Sequence, residues 1–177
     1  MRVLEIPPAT LVVLCGPAGS GKSTWAARRF LPTQIVSSDD CRARVADDAA
    51  AQQVSREAFE LFHATIGLRA RLGRLTVADS TALEERARAE LLRIARAHAL
   101  HAALLLFDVP LEVCLAQNAR REREVPPEAV REQHAMLAAA REAAAREGWD
   151  QVVVFRSPAE AEDWGVRVAR RPPSPLP

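Results

Sequence analysis

The tightest constraint on the fold is residues 11–24, Leu-Val-Val-Leu-Cys-Gly-Pro-Ala-Gly-Ser-Gly-Lys-Ser-Thr. Leu11 to Leu14 are four apolar residues in a row and read as a buried strand. Gly16, Gly21, Lys22 and Ser23 then fall at the spacing G-x-x-x-x-G-K-[ST], the phosphate-binding (Walker A) loop. Such a loop must curl until successive backbone N–H groups point at one anion, and glycine allows the dihedrals and leaves no side chain in the way. A helix starting near Lys22 adds its positive N-terminal end. Lys22 is expected to reach β- and γ-phosphates, and the Ser23 hydroxyl to hold Mg²⁺. Gly16, Ala18, Gly19, Ser20, Gly21, Lys22, Ser23 and Thr24 are therefore the candidate residues for ATP or another NTP. The bland alternative is a glycine-rich turn, but the strand before and the helix after supply the context the motif requires. Lys22 is also the only lysine in a chain with 24 Lys and Arg residues. A compact ammonium and a planar guanidinium are not interchangeable at a tight phosphate site, so the position looks constrained.

The 177 residues suggest one domain with a sizeable core. Hydrophobic content of 49% with 27% charged residues argues against disorder. A net charge of +1 implies no general polyanion-binding surface, so any nucleic-acid contact must come from a local basic patch. The longest apolar stretch is far short of a membrane span, and no signal peptide precedes the first strand, so a cytoplasmic protein without membrane contact is expected. Cys15, Cys41 and Cys114 lack metal-ligand spacing and read as reduced thiols, with Cys15 in the core.

In chain order, residues 1–9 read as a short lead-in. Strands are expected at about residues 10–15, 34–37, 75–78, 102–107 and 151–155, and helices at about 22–30, 52–72, 82–99, 111–119, 127–147 and 158–168. Residues 43–51 read as a mobile polar connection, and the Pro-rich tail 170–177 as disordered. Strands alternating with helices predict an α/β fold with a parallel sheet covered on both faces. Ligands in such sheets bind beyond the carboxyl ends of the strands.

Three acids follow strands: Asp39, Asp79 and Asp108. Phosphoryl transfer needs metal ligation, a group that orients or deprotonates the acceptor, and cations over the transferring group. Asp39 is the candidate general base, with Arg42 three residues on to grip an anionic acceptor; an N-cap role is the structural alternative. Asp79 is a candidate Mg²⁺ ligand or else a turn residue, and Asp108 reads as a turn residue. Arg120, Arg121 and Arg123 read either as a lid over ATP or as a solvated turn, since Glu122 and Glu124 interleave. The four histidines read as core or surface.

These residues together resemble the 5′-OH polynucleotide kinase module of the bacterial RNA-repair polynucleotide kinase-phosphatases, within the P-loop kinase group, over roughly residues 10–155. The matching pieces are the loop Gly16–Thr24, Ile35-Val-Ser-Ser-Asp39-Asp-Cys-Arg42, Asp47-Asp48, Ala58-Phe59 with Leu61-Phe62-His63, Leu72-Gly-Arg-Leu-Thr-Val77 with Asp79 and Thr81, and Val113-Cys114 followed by Asn118 and Arg121. The resemblance implies a five-stranded parallel sheet of order 2-3-1-4-5 within a single domain over residues 1–169, with a helical lid at about 117–147. It implies Asp39 as general base, Lys22 and Ser23 on phosphate and Mg²⁺, Arg42 on the acceptor strand and Arg121 on ATP phosphates. It departs in the lid: the family pattern R-N-x-x-R-x-x-R reads Gln117, Asn118, Arg121 and Glu124 here, with Arg120 and Arg123 one residue away. The Asn expected after the third strand is Ala82. The family's module is usually joined to phosphatase and ligase domains and none fits in this chain, so a separate ligase or phosphatase is a candidate partner. The expected activity is an ATP- and Mg²⁺-dependent kinase acting on 5′-OH ends of RNA or DNA. The rivals are a kinase for a small molecule (sugar, nucleoside or antibiotic) and a nucleotide-binding regulator that does not catalyse.

Overall fold

The computed structural model describes residues 2–169; the tail expectation for 170–177 lies outside them. The elements run β1 Arg2–Ile6, β2 Thr10–Cys15, α1 Lys22–Ala27, β3 Ile35–Ser37, α2 Ser38–Ala46, α3 Ser55–Arg71, β4 Thr76–Asp79, α4 Glu85–Ala97, β5 His101–Phe107, α5 Leu111–Asn118, α6 Pro127–Ala135, α7 Leu137–Ala144, β6 Gln151–Phe155, α8 Pro158–Glu162 and β7 Trp164–Val168. The main sheet is five-stranded, β3-β4-β2-β5-β6, and every pairing in it is parallel. With β1 set aside, this is the order 2-3-1-4-5.

Period-two alternation builds a core on each face of the sheet. Leu11, Val13, Leu104 and Leu106 face α3, α4 and α7 through Phe62, Ile66, Leu91, Ile94 and Leu137. Val12, Leu14, Leu105 and Phe107 face the other side, with Trp25, Phe30, Cys114, Val130 and Phe155. Central strands buried on both faces must be apolar throughout, which is why β2 and β5 are legible as strands. Trp25 packs within 6.1 Å of the rings of Phe30, Phe107 and Phe155. The three cysteines are free and buried.

Four expectations are corrected. Residues 2–6 are not a lead-in: β1 pairs in parallel with β7, Arg2 opposite Trp164 through Ile6 opposite Val168, in a second, two-stranded sheet. The last helix stops at Glu162, and residues 164–168 are strand. The polar connection begins later than expected, because α2 runs on to Ala46 and ends at Asp47 in a left-handed turn. The helix expected at 127–147 is two, α6 and α7, meeting at Met136. Leu137, Ala140 and Ala144 of α7 are core residues, so the C-terminal part of the expected lid belongs to the scaffold.

Candidate nucleotide and acceptor site

The phosphate loop joins β2 to α1 and is held from three sides. Gly16 N–H donates to Thr81 O at 2.9 Å, which ties the loop to the exit of β4. Gly19 has φ +77°, and a Cβ there would lie 2.1 Å from the Cys114 carbonyl oxygen, so α5 leaves room only for glycine. Lys22 Nζ donates to the carbonyls of Gly16 and Pro17, each at 2.7 Å. Burial draws the Lys22 ammonium below its ordinary pKa, and the nearby Asp79 carboxylate opposes that shift. Asp79, the last residue of β4, stands opposite Leu14 on one side and Ser37 on the other. Burial pushes its carboxyl up, against the Lys22 charge and a hydrogen bond from the Ser23 hydroxyl. Both charged forms are thus under-compensated. A phosphate beside Lys22 and a cation beside Asp79 and Ser23 would each complete one of them.

Asp39 lies in the first turn of α2. The cap is Ser37, whose Oγ accepts from Asp40 N–H at 3.2 Å, so Asp39 is released from that duty. Its two carboxylate oxygens accept from Arg42 Nη1 and Arg123 Nη2, both at 2.8 Å. Arg42 is buried, and its Nε and the Nη1 of Arg123 are buried donors without a protein acceptor.

One cavity of about 910 Å³ gathers these groups. Its walls include Ala18, Gly19, Ser20, Gly21, Lys22, Ser23, Thr24, Asp39, Arg42, Asp79, Arg120, Arg121 and Arg123. Gly16 stands behind the loop rather than on the wall. Asp108 is elsewhere, accepting from Arg141 of α7. The arginine loop after α5 is clipped at its base: buried Asn118 donates Nδ2–H to Val125 O at 2.7 Å and accepts Val125 N–H at 3.1 Å. Arg120 and Arg123, displaced by one residue from the family pattern, lie on this loop and line the cavity with Arg121.

Sequence reasoning missed three things. Gln133 of α6 accepts the Ala18 loop N–H at 2.8 Å. Gln52, Ser55 and Phe59 line the same cavity as Asp39. Arg88 of α4, 1% exposed, donates to the carbonyls of Ala82 and Leu83 and bidentately to Glu147. An inward-facing arginine leaves no local signal; its place on the apolar stripe of α4, three residues before Leu91, was the available one.

A family profile described as "AAA domain" matches residues 11–144. The chain belongs to that family. This AAA domain has the fold of the P-loop kinases. A chain of the Pnkp1/Rnl/Hen1 RNA repair complex is 20% identical with a TM-score of 0.65, covering 79% of this chain and 47% of that one. A chain of the AvrRxo1-ORF1:-ORF2 structure with ATP is 19% identical with a TM-score of 0.60, covering 80% and 50%. The APS kinase CysC of Mycobacterium tuberculosis, in complex with AMPPNP and APS, is 17% identical with a TM-score of 0.55, covering 89% and 95%. The chain thus spans about half the length of the first two, 47% and 50%. No curated protein sequence matches it. Among the described residues no helix of the AAA domain is long and apolar enough to cross a membrane.

Proposed function

We propose that the chain is an ATP-dependent kinase that transfers the γ-phosphate to 5′-hydroxyl ends of RNA or DNA, as in nucleic acid repair. The observation that carries this reading is Asp39, held between Arg42 and Arg123 on the same cavity as the phosphate loop. In an in-line displacement the acceptor hydroxyl gives up its proton as its oxygen bonds to phosphorus, and Asp39 takes that proton. A 5′-terminal nucleotide carries an anionic phosphodiester a few bonds from the hydroxyl, and the unpaired donors of Arg42 and Arg123 suit it. Phe59 offers an apolar ring to a base.

Lys22 and the loop amides hold the donor phosphates, and Arg120, Arg121 and Arg123 neutralise charge from the lid, whose moving part is the arginine loop between α5 and α6. Ser23 and Asp79 fit Mg²⁺: adjacent hard oxygen donors, one of them a buried and under-compensated carboxylate. Bound Mg²⁺ would neutralise charge on the donor's terminal phosphates. Consumption of ATP and a nucleic-acid end as acceptor fit a cytoplasmic protein, with a ligase or phosphatase as a candidate partner.

The test is transfer of labelled γ-phosphate from ATP–Mg²⁺ to 5′-OH oligonucleotides, RNA and DNA in parallel. Transfer abolished by Asp39→Ala and by Lys22→Ala is the expected result. A second reading, a kinase for a small anionic alcohol, is favoured by the +1 net charge and by the 95% coverage of the APS kinase chain. ATP binding with transfer only to small acceptors would replace the first reading with the second. Binding without transfer to any acceptor would point to a regulator.

A further inference from the structure

We propose that Gln133 reads the terminal phosphate of the nucleotide donor, exchanging its hold on the Ala18 N–H for a hydrogen bond donated to that phosphate. The inference rests on the nucleoside-triphosphate donor of the proposed function but not on the identity of the acceptor.

Gln133 Oε1 accepts the Ala18 N–H at 2.8 Å across 115 residues of sequence. Because the partner is a backbone donor, the orientation of the amide is fixed: its oxygen faces the loop and its Nε2 does not. A primary amide carries two N–H donors, and Gln133 lies on the cavity wall beside Ala18. Ala18 is also the loop residue next to Pro17, whose carbonyl holds the Lys22 ammonium. In a trans peptide the carbonyl and the following N–H point in opposite directions, so the Lys22 ammonium and the Gln133 amide grip the same Pro17–Ala18 unit of the loop from its two sides.

A phosphate oxygen is a stronger acceptor for a loop N–H than a neutral amide oxygen, so a phosphate arriving at Ala18 displaces Oε1. Half a turn about the terminal side-chain torsion then offers Nε2–H to the same anion, without moving α6. The helix suits that task. Pro127 occupies its first turn, Val130 is fully buried, and His134, next to Gln133, pairs through Nε2 with the Val109 carbonyl at 3.1 Å. The arginine loop supplies charge. Gln133 supplies a neutral donor from a fixed mount, which favours discrimination between triphosphate and diphosphate over bulk attraction.

The test is the ratio of affinities for a non-hydrolysable ATP analogue and for ADP, each with Mg²⁺, in the wild-type protein, Gln133→Ala and Gln133→Glu. The introduced carboxylate still accepts from Ala18 but cannot donate in its ionised form. Thermal unfolding without nucleotide checks that each variant is folded. The expected result is a loss of about tenfold or more in analogue affinity relative to ADP in both variants, larger in Gln133→Glu because the added charge repels the phosphate. A ratio unchanged in folded Gln133→Glu would overturn the proposal and leave Gln133 a strut, while the kinase reading would stand. Wild-type protein that binds neither nucleotide would overturn both readings.

Discussion

At the scale of single residues, the loop glycines separate two physical demands that sequence spacing merges. Gly19 needs both a left-handed backbone and the absence of a Cβ, because the Cys114 carbonyl fills that space. Gly21 has φ +93° but its nearest obstacle is Gln117 Oε1 at 3.8 Å, so only the dihedral is at stake. Gly21→Ala should therefore cost about 1–2 kcal/mol. Gly19→Ala should cost more, about 3 kcal/mol or above, or force α5 away from the loop. In a domain of this size that is a fall in Tm of roughly 10 °C for Gly19→Ala and about a third to two thirds of that for Gly21→Ala. Equal losses in thermal unfolding would contradict this account. A second prediction concerns Asn118, whose two bonds to Val125 close the arginine loop. Asn118→Ala should lower affinity for the ATP analogue by about tenfold, and Asn118→Asp by at least as much, because a carboxylate oxygen would then face the Val125 carbonyl; titration calorimetry on the two variants decides it. The loop, Asp39 and Asp79 were legible because chemistry fixes their residue types at strand ends. Gln133 was not, nor was the pairing of Asn118 with Val125, since an amide says nothing of its partner until the fold supplies one.

At the scale of elements, α4 shows why a helix pattern can be read correctly and still hide its most consequential residue. Arg88 sits on the inner face of α4 and pins the turn after β4, whose Thr81 carbonyl accepts from Gly16 at the start of the phosphate loop. Ala82, at φ +46°, is held in that turn by Arg88 and by the Cys15 thiol, both donating to its carbonyl. Glu147 completes the site, 2.7 Å from Arg88 and accepting also from Trp149 Nε1 at 2.8 Å. Burial pushes the Glu147 carboxyl upward, but the hydrogen bonds from Arg88 and Trp149 and the Arg88 charge outweigh it, and the net shift is down from 4.5. A depressed native pKa means stability that is complete above the unfolded value and lost as pH falls through the native one. The wild-type Tm should accordingly decline from about pH 4.5 downward, the unfolded-state value. Glu147→Gln should cost about 3–5 kcal/mol at pH 7, because it leaves a buried guanidinium uncompensated. Its Tm should depend less on pH in the acid range, and parallel acid limbs for the two proteins would refute the role assigned to this pair.

At the scale of the whole molecule, the second sheet is what sequence reading lost, and the reason is topological. Arg2-Val-Leu-Glu-Ile6 and Trp164-Gly-Val-Arg-Val168 are five residues each, and β7 follows α8 after a single residue, so it reads as a continuation of that helix. Their pairing spans nearly the whole chain, so no local pattern announces it. Once formed, the pair braces the back of α1. Leu4 and Ile6 are buried there, Trp164 packs edge-on to Phe155 at 5.9 Å, and Arg29 donates Nε–H to Trp164 O at 2.7 Å while stacking 4.7 Å from the Trp25 ring. The five-stranded sheet closes without it, through β2 and its ladders to β4 and β5. The two sheets should therefore open separately. Ile6→Ala removes a side chain that is 1% exposed and should cost about 2–4 kcal/mol. The loss should fall first on the pair: in native-state hydrogen exchange, the amides of β1 and β7 should lose protection while those of β2 and β5 keep theirs. If all four strands lose protection together, the second sheet is part of one cooperative unit with the phosphate-loop scaffold. Ile6→Ala would then weaken binding of the ATP analogue as well as stability, whereas independent opening predicts affinity unchanged within about twofold.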